Sequence, residues 1–193
     1  KLISFHRDVE MRTRFEPDLL NILGSPVHLS KTIMNLVSNA AEAMPNGGVI
    51  QISTENRYID RPLKGYDTVE EGDYVKLTVS DNGVGISPED IDRIFEPFYT
   101  KKAMGRSGTG LGMAVVWGTV QDHNGTIDVR SEVGAWTEFS IYLPATRKAP
   151  QRPQDHIDYS ALSGHGQRLL VVDDVAEQRQ IAVSILSQLG YAA

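Results

Sequence analysis

The chain has 193 residues, a formal charge of −6 and no cysteine, which gives room for one domain, or for one domain and part of another. The lack of cysteine excludes disulfides and cysteine-ligated zinc and is compatible with a reducing cytoplasm, and the negative charge argues against nucleic acid as a partner. No apolar run approaches the ~18 residues of a membrane span. We predict a cytoplasmic location for a chain that looks cut from a longer parent, which could carry a membrane anchor upstream of Lys1.

The first predicted elements are short strands and one long helix. Alternating apolar residues within 8–24 indicate one or two strands, or a strand and a connector. Between residues 28 and 44 the apolar side chains recur at helical spacing, and the helix should end at PNGG, residues 45–48. Asn35 and Asn39 lie one turn apart on the opposite face. Although a solvated face is the ordinary interpretation, asparagine is a poor helix former, so this pair suggests carboxamides aimed at a ligand.

Residues 49–59 and 73–80 alternate between apolar and polar side chains, which is typical of half-buried strands in a largely antiparallel sheet. The insert between them, residues 60–72, is polar, and we predict a long hairpin loop there. Residues 126–131 and 137–143 alternate again and should form a closing hairpin.

Residues 81–86 read DNGVGI and follow the second of these strands. Asn-Gly often marks a tight hairpin, but Ser87, Pro88 and Asp90 then supply an N-cap, a first-turn proline and a carboxylate, so the chain should enter a helix. Two glycines let the backbone approach a flat ligand, and Asp81 can accept a hydrogen bond from an exocyclic amino group. We interpret the segment as the floor of an adenine pocket.

The next stretch combines aromatic, basic and glycine-rich segments. A short helix should carry Ile91 and Ile94, and Phe95 and Phe98 are assigned by default to the core. Residues 99–107 are basic without any acid, which suits a small anion. Residues 108–112, GTGLG, open a helix that is apolar nearly all round from 111 to 120, and we therefore expect this helix to be buried. Glycines at a helix start can turn backbone N–H groups toward phosphate, although a plain hinge is the alternative, and the spacing fits neither G-x-G-x-x-G nor a P-loop.

In order, residues 35–40 (NLVSNA), 81–85 (D-x-G-x-G), 95–98 (FEPF) and 108–112 (GTGLG) resemble the N box, first glycine box, F box and second glycine box of histidine-kinase catalytic domains. The resemblance covers about residues 8–145, and we assign 1–145 to this domain. It implies an α+β Bergerat-type two-layer sandwich, with a mixed, mostly antiparallel sheet and helices on one face.

The resemblance also implies ATP and Mg²⁺ as ligands. Asn39 would be the principal Mg²⁺ ligand with Asn35 close by, Asp81 would hold the adenine amino group, and Lys102 would reach the phosphates. Asn35, Asn39 and Lys102 form the implied catalytic set. The other implied nucleotide contacts are Gly83, Gly85, Ile86, Phe98, Gly108, Thr109, Gly110, Leu111, Gly112 and Thr137. Trp136 departs from the family pattern, since kinases usually show G-x-G-T where this chain has GAWT.

A linker, residues 146–168, precedes a second resemblance in residues 169–193. LLVVDD followed by an apolar-striped helix is similar to the first strand and helix of a response-regulator receiver, which implies a hybrid sensor kinase as the parent. Asp173 and Asp174 would then help to hold Mg²⁺ in an incomplete receiver site; the plainer alternative is that Asp174 caps a helix. About 25 residues cannot close their own core, so we expect this tail to be disordered or pinned against another surface, with self-association through its strand.

These features predict an ATP-dependent protein histidine kinase domain. Its partner would be a dimerisation domain carrying the phosphoacceptor histidine, since none of the five histidines has an H-E-x-x-x-P-like context. One alternative is an ATP hydrolase of the same superfamily; there a glutamate activates water one turn before the metal-binding asparagine, whereas this chain has Asn35, a poor base. Another is a nucleotide-binding scaffold without activity.

Overall fold

A computed structural model describes residues 8–100, 110–148, 163–172 and 176–192. The chain divides into two compact units, Lys1–Ala149 and Pro150–Ala193. In the first unit the elements are β1 (Val9–Phe15), β2 (Asn21–Ile22), α1 (Pro26–Glu42), β3 (Gly48–Ile59), β4 (Leu63–Lys64), β5 (Thr68–Val69), β6 (Gly72–Asp81), α2 (Pro88–Ile91), α3 (Gly112–Asp122), β7 (Thr126–Glu132) and β8 (Trp136–Thr146).

The main sheet is mixed and mostly antiparallel, as predicted. Its strand order is β1-β3-β6-β8-β2, and β7 also pairs with β8. Among the described strands of this sheet, only β1 is parallel to its neighbour, β3, with Val9 opposite Gly48. The predicted strands at 49–59 and 73–80 are β3 and β6, and the closing hairpin is β7–β8. The alternation in residues 8–24 yields two strands, β1 and β2.

The core lies between one face of this sheet and helices α1 and α3. Leu36, Val37 and Ala40 of α1 pack with Val116 and Val120 of α3 against the apolar face of the strands. This confirms the α+β class. Helix α1 begins at Pro26, two residues before the predicted start, because Ser25 is its N-cap and proline suits the first turn. The backbone N–H of Ser25 donates to Nε2 of His123 at the end of α3 (2.9 Å).

The insert 60–72 is a small hairpin, β4–β5, that also contributes to packing. Val69 is buried in a second apolar cluster with Ile59, Tyr74 and Tyr142. The ring of Tyr66 contacts those of Phe95 and Trp117, with centroids 5.0 and 5.7 Å apart. Because its apolar residues are few, the sequence pattern indicated only a polar loop.

Three local expectations were wrong. Phe98 is 73% exposed rather than part of the core, and it has a φ of 67°. Ser87 is the N-cap residue of α2, as predicted, but its hydroxyl donates to the Asp90 carboxylate (2.7 Å) and does not accept a backbone N–H of the helix. The helix that follows GTGLG is not buried all round, since Val115 is 46% exposed, because α3 covers the core with one face only.

In the second unit, α4 spans Ala176–Gln188. In the described residues no strand forms at 169–172, where one was expected. Arg168 instead makes a single parallel bridge with Ala192, and one bridge is too short to count as a strand. Leu170 is 89% exposed and Val172 is 82% exposed. Across the described parts of both units, no helix is long and apolar enough to cross a membrane.

Candidate nucleotide site

A cavity of about 570 Å³ opens between α1, the segment after β6 and the start of α3. Its walls bring together residues that are far apart in the chain. The sequence-predicted residues that line it are Asn35, Asn39, Asp81, Gly85, Ile86, Gly110, Gly112 and Thr137. A volume in this range suits a small-molecule ligand.

Asp81 ends β6 and is buried, with 7% of its surface exposed. One carboxylate oxygen, Oδ1, accepts a hydrogen bond from the Gly83 N–H at 2.9 Å. Burial raises the pKa of Asp81, while the Gly83 hydrogen bond opposes that shift. Among the described residues no other group bonds to this carboxylate, so it retains accepting capacity toward the cleft.

Gly83 and Gly85 let the segment after Asp81 pack against two neighbours. A Cβ on Gly83 would lie 2.7 Å from the Ala43 carbonyl oxygen, and one on Gly85 would lie 2.1 Å from that of Glu132. Gly85 also has a φ of 71°, which favours glycine. Gly83 is buried behind the cleft wall and is not part of its lining. Both glycines therefore act by allowing close backbone contact.

Asn35 and Asn39 face the cleft from α1, as the helical spacing predicted. The Asn35 side-chain amide donates to the Gly112 carbonyl (3.2 Å), which ties α1 to the first residue of α3. The Asn39 carboxamide has no hydrogen-bond partner in the described part of the chain. Asn39 therefore has its oxygen available for a ligand, and the Asn35 oxygen is also left available by that contact.

Gly110 and Gly112 form the third wall at the start of α3. Among the described residues no side chain caps this helix, whose N-cap is Leu111, and its first backbone N–H groups have no partners within the helix. Leu111 and Phe98 are not part of the cavity lining. Lys102, Gly108 and Thr109 lie outside the described residues, as do Asp173 and Asp174 of the second unit.

Thr137 is the residue of β8 directly opposite Asp81 on β6. Its hydroxyl lies 3.0 Å from that of Ser131 on β7. Trp136, which stands where the family has glycine, is not part of the cavity lining; its indole N–H donates to Glu132 (3.3 Å). The replacement of the family's glycine by Trp136 therefore does not remove Thr137 from the cavity lining.

Sequence reasoning missed several residues of the cleft, including Ser38, Asp90, Tyr99 and Met113. The Tyr99 hydroxyl donates to Asp90 at 2.6 Å, and Ser87 bonds the other carboxylate oxygen. From the sequence pattern Asp90 is predicted only as a carboxylate in the first turn of a helix. The spacing of Ser87 and Asp90 could have indicated the hydrogen bond between them. The contact between Asp90 and Tyr99 depends on how the chain turns between these two residues.

The donor set fits Mg²⁺ that is bound together with a phosphate ligand. Mg²⁺ prefers oxygen donors and commonly keeps several waters, taking only one or two ligands from the protein. The oxygens of Asn39 and Asn35 supply that number. In the described ranges no group of three or more acidic, histidine or cysteine side chains could hold an ion by itself. A metal here would therefore depend on the phosphates as well as on the asparagines.

The fold and this cleft define an α+β domain with a ligand-sized cavity between α1, the segment after β6 and the start of α3. Residues 24–147 match the family described as "Histidine kinase-, DNA gyrase B-, and HSP90-like ATPase", and the chain belongs to this family. It is homologous to sensor kinases.

Sensor kinase CckA of Brucella abortus (strain 2308) is 35% identical across 96% of this chain, which spans 20% of CckA. Sensor histidine kinase ZraS of Escherichia coli (strain K12) is 37% identical across 75% of this chain, which spans 28% of ZraS. The solved catalytic domain of histidine kinase ThkA is similar with a TM-score of 0.56 and 25% identity, over 72% of this chain and 80% of that one. The chain thus covers less than a third of the two curated relatives.

Proposed function

We propose that this chain is the ATP-binding catalytic domain of a two-component sensor histidine kinase. It would transfer the γ-phosphoryl group of ATP to a histidine on a dimerisation domain outside this sequence. The observation that carries the proposal is the shared cleft, in which the buried Asp81, the carboxamide of Asn39 and the start of α3 face one cavity. Because such a reaction uses ATP, we place the domain in the cytoplasm.

The base of ATP would bind at Asp81. The ionised carboxylate accepts a hydrogen bond from the 6-amino group, in a buried position where such a bond is strong. Gly85 and Ile86 would lie against the flat ring. A charge-assisted hydrogen bond contributes about 1.5–3 kcal/mol, so Asp81→Asn, which presents an amide donor to adenine's own donor, should weaken ATP binding roughly tenfold to a hundredfold.

The phosphates would bind between α1 and α3. Asn39, with Asn35 beside it, would hold Mg²⁺, which neutralises phosphate charge when bound. The N–H groups at the start of α3, which no described side chain caps, favour anions. Within the described residues the cavity lining contains no lysine or arginine, so the cationic contact is proposed for Lys102. Gly108, Thr109 and Leu111 are proposed to follow the phosphates, and Phe98 remains a proposed nucleotide contact.

Asn35 favours phosphoryl transfer over hydrolysis. An ATP hydrolase of this superfamily would need a base where Asn35 stands, and the carboxamide is neutral and is bound to the Gly112 carbonyl (3.2 Å). The chain therefore lacks a water-activating base at that position. A nucleotide-binding scaffold without activity remains the competing proposal, and labelling experiments separate the two.

We further propose that residues 169–193 begin a receiver domain, so that the parent is a hybrid kinase. The LLVVDD motif supports this, and the similarity to CckA over 96% of the chain indicates that the tail also has a counterpart in a sensor kinase. The parallel bridge of Arg168 and Ala192, on either side of α4, is compatible with the first strand, helix and second strand of a parallel sheet. Asp173 and Asp174 would form part of its Mg²⁺ site, and residues 146–168 would be the linker.

Calorimetry on the full chain with ATP and Mg²⁺ tests the binding step. Wild type should bind, and Asp81→Asn should bind much more weakly. Asp128→Asn is the matched control, because Asp128 is equally buried but contacts Tyr66 and Arg130 outside the cleft. If wild type gives no heat at millimolar ATP, or if Asp128→Asn lowers affinity as much as Asp81→Asn, the proposed site is wrong.

Labelling tests the transfer step. The parent protein incubated with γ-labelled ATP should acquire an acid-labile, base-stable phosphate, which is the behaviour of phosphohistidine. Asn39→Ala should abolish labelling, whereas the isolated 193-residue chain should remain unlabelled. A parent protein that binds ATP but never becomes labelled would favour the scaffold.

A further inference from the structure

Ser131 on β7 connects three parts of the cleft wall through one hydroxyl group. Its Oγ donates to the Trp136 carbonyl (2.7 Å) and accepts a hydrogen bond from the Ile86 N–H (2.8 Å). It also lies 3.0 Å from Oγ1 of Thr137. Ile86 and Thr137 both line the cavity, whereas Ser131 stands behind them.

The donor in the contact between the two hydroxyls follows from counting hydrogens. A serine hydroxyl has one hydrogen and two lone pairs. A carbonyl can only accept, so the Ser131 hydrogen is committed to Trp136. In the contact between the two hydroxyls Thr137 must therefore donate and Ser131 must accept. The other lone pair of Ser131 accepts the hydrogen bond from the Ile86 N–H. All hydrogen-bonding positions of Ser131 are filled by this arrangement.

Thr137 is consequently held as a hydrogen-bond acceptor toward the cleft. Its only hydrogen points to Ser131, and the described residues provide no other partner for its oxygen. Asp81 lies directly opposite Thr137 on the neighbouring strand and also accepts. A ligand edge with an amino group or a bridging water can donate to this pair, whereas an edge with a carbonyl oxygen meets only acceptors.

We propose that Ser131 is a positioning residue that sets the base preference of the site by fixing Thr137 as an acceptor. The inference rests on the proposed function, since it assigns nucleotide to this cleft. Ser131 itself does not touch the base. Its removal frees the Thr137 hydroxyl to rotate and to donate, which is what a 6-oxo purine requires.

Calorimetry with ATP and inosine triphosphate tests this on the full chain. Inosine triphosphate carries an oxygen where ATP carries the 6-amino group and lacks the additional amino group of GTP. Wild type should bind ATP more tightly. We express the preference as the Kd for inosine triphosphate divided by the Kd for ATP. In Ser131→Ala this ratio should fall by roughly three- to tenfold, which is the effect of one ordinary hydrogen bond. Thr137→Val removes the hydroxyl, and Ser131→Ala added to it should not change the ratio further.

A folded Ser131→Ala protein with the wild-type ratio overturns the proposal, even if both nucleotides bind more weakly, because equal weakening reports only on the support of Ile86. If Ser131→Ala does not fold, Ser131→Cys decides, because a thiol is only a weak hydrogen-bond acceptor for the Thr137 hydroxyl: an unchanged ratio overturns the proposal, and a shift toward inosine triphosphate supports it. Wild-type protein that binds neither nucleotide overturns the proposed function and this inference together. If wild type binds ATP but the ratio is unchanged in the variants, the inference about Ser131 is overturned and the proposed function stands.

Discussion

The backbone N–H of Phe98 donates to the carbonyl of Gly110 at 3.0 Å, so the described chain is joined across residues 101–109. Both residues have left-handed backbone angles, with φ of 67° and 68°. Gly110 lines the cleft, and Phe98 does not. The hydrogen bond therefore fixes the point from which the chain enters α3, next to the proposed phosphate site.

Gly110→Ala should disturb this junction. A Cβ there would lie 2.6 Å from the carbonyl carbon of Phe98, and the left-handed φ adds strain. Gly134→Ala is the matched control, because Gly134 also has a positive φ (81°) but its Cβ would meet nothing within 4 Å. We expect Gly134→Ala to lose about 1 kcal/mol of unfolding free energy and to keep ATP affinity. Gly110→Ala should lose more stability and bind ATP more weakly; equal behaviour in urea titration and calorimetry would contradict this.

The raised pKa of Asp81 gives stability and binding opposite pH dependences. Because burial raises the pKa, the folded protein binds this proton more tightly than the unfolded chain. The contribution of Asp81 to unfolding free energy is then fully present below the unfolded pKa and is lost as pH rises through the folded pKa. ATP affinity should instead fall as pH is lowered through the folded pKa, because protonation removes the acceptor. Unfolding and ATP titrations of wild type and Asp81→Asn, from about pH 4 to 8, measure both; identical pH profiles in the two proteins would refute the assignment.

Tyr66 should stabilise the domain through its ring. The ring packs on Phe95 and Trp117, and the Tyr66 backbone N–H donates to the buried Asp128 (2.9 Å). Tyr66→Ala removes the ring contacts and should cost about 1–3 kcal/mol of unfolding free energy. Tyr66→Phe keeps the ring and should change stability by less than about 0.5 kcal/mol. Urea denaturation measures both, and similar losses in the two variants would mean that the hydroxyl rather than the ring matters.

Removing residues 150–193 should leave ATP binding intact, because every described residue of the cleft precedes them. The cut follows Ala149, since β8 continues to Thr146 and its last two residues pair with β2. The exposed Leu170 and Val172 are lost with the tail, so any self-association should decrease. Calorimetry and sedimentation velocity on the two lengths measure these effects. Loss of ATP binding would place part of the site after residue 149 and would refute the proposed boundary.

The amino-acid sequence alone determined the features that depend on neighbours in the chain. Alternation predicted β3, β6 and the β7–β8 hairpin, and helical spacing placed Asn35 and Asn39 on one face of α1. Asp81 and the two glycines after it identified the segment at the base of the cleft. These are local signals, because backbone periodicity and glycine's conformational freedom are set within a few residues.

Tertiary structure decided which distant groups meet. Ser131 and Ile86 are 45 residues apart, Tyr66 and Asp128 are 62 apart, and Asn35 and Gly112 are 77 apart. Phe98 has the apolar character of a core residue, but its ring is exposed in the folded domain, where its backbone N–H bonds the Gly110 carbonyl. Hydrogen-bond partners and burial depend on how the strands and helices pack, and short-range patterns do not encode that packing; the orientation of the Thr137 hydroxyl therefore emerged only when β6, β7 and β8 were assembled.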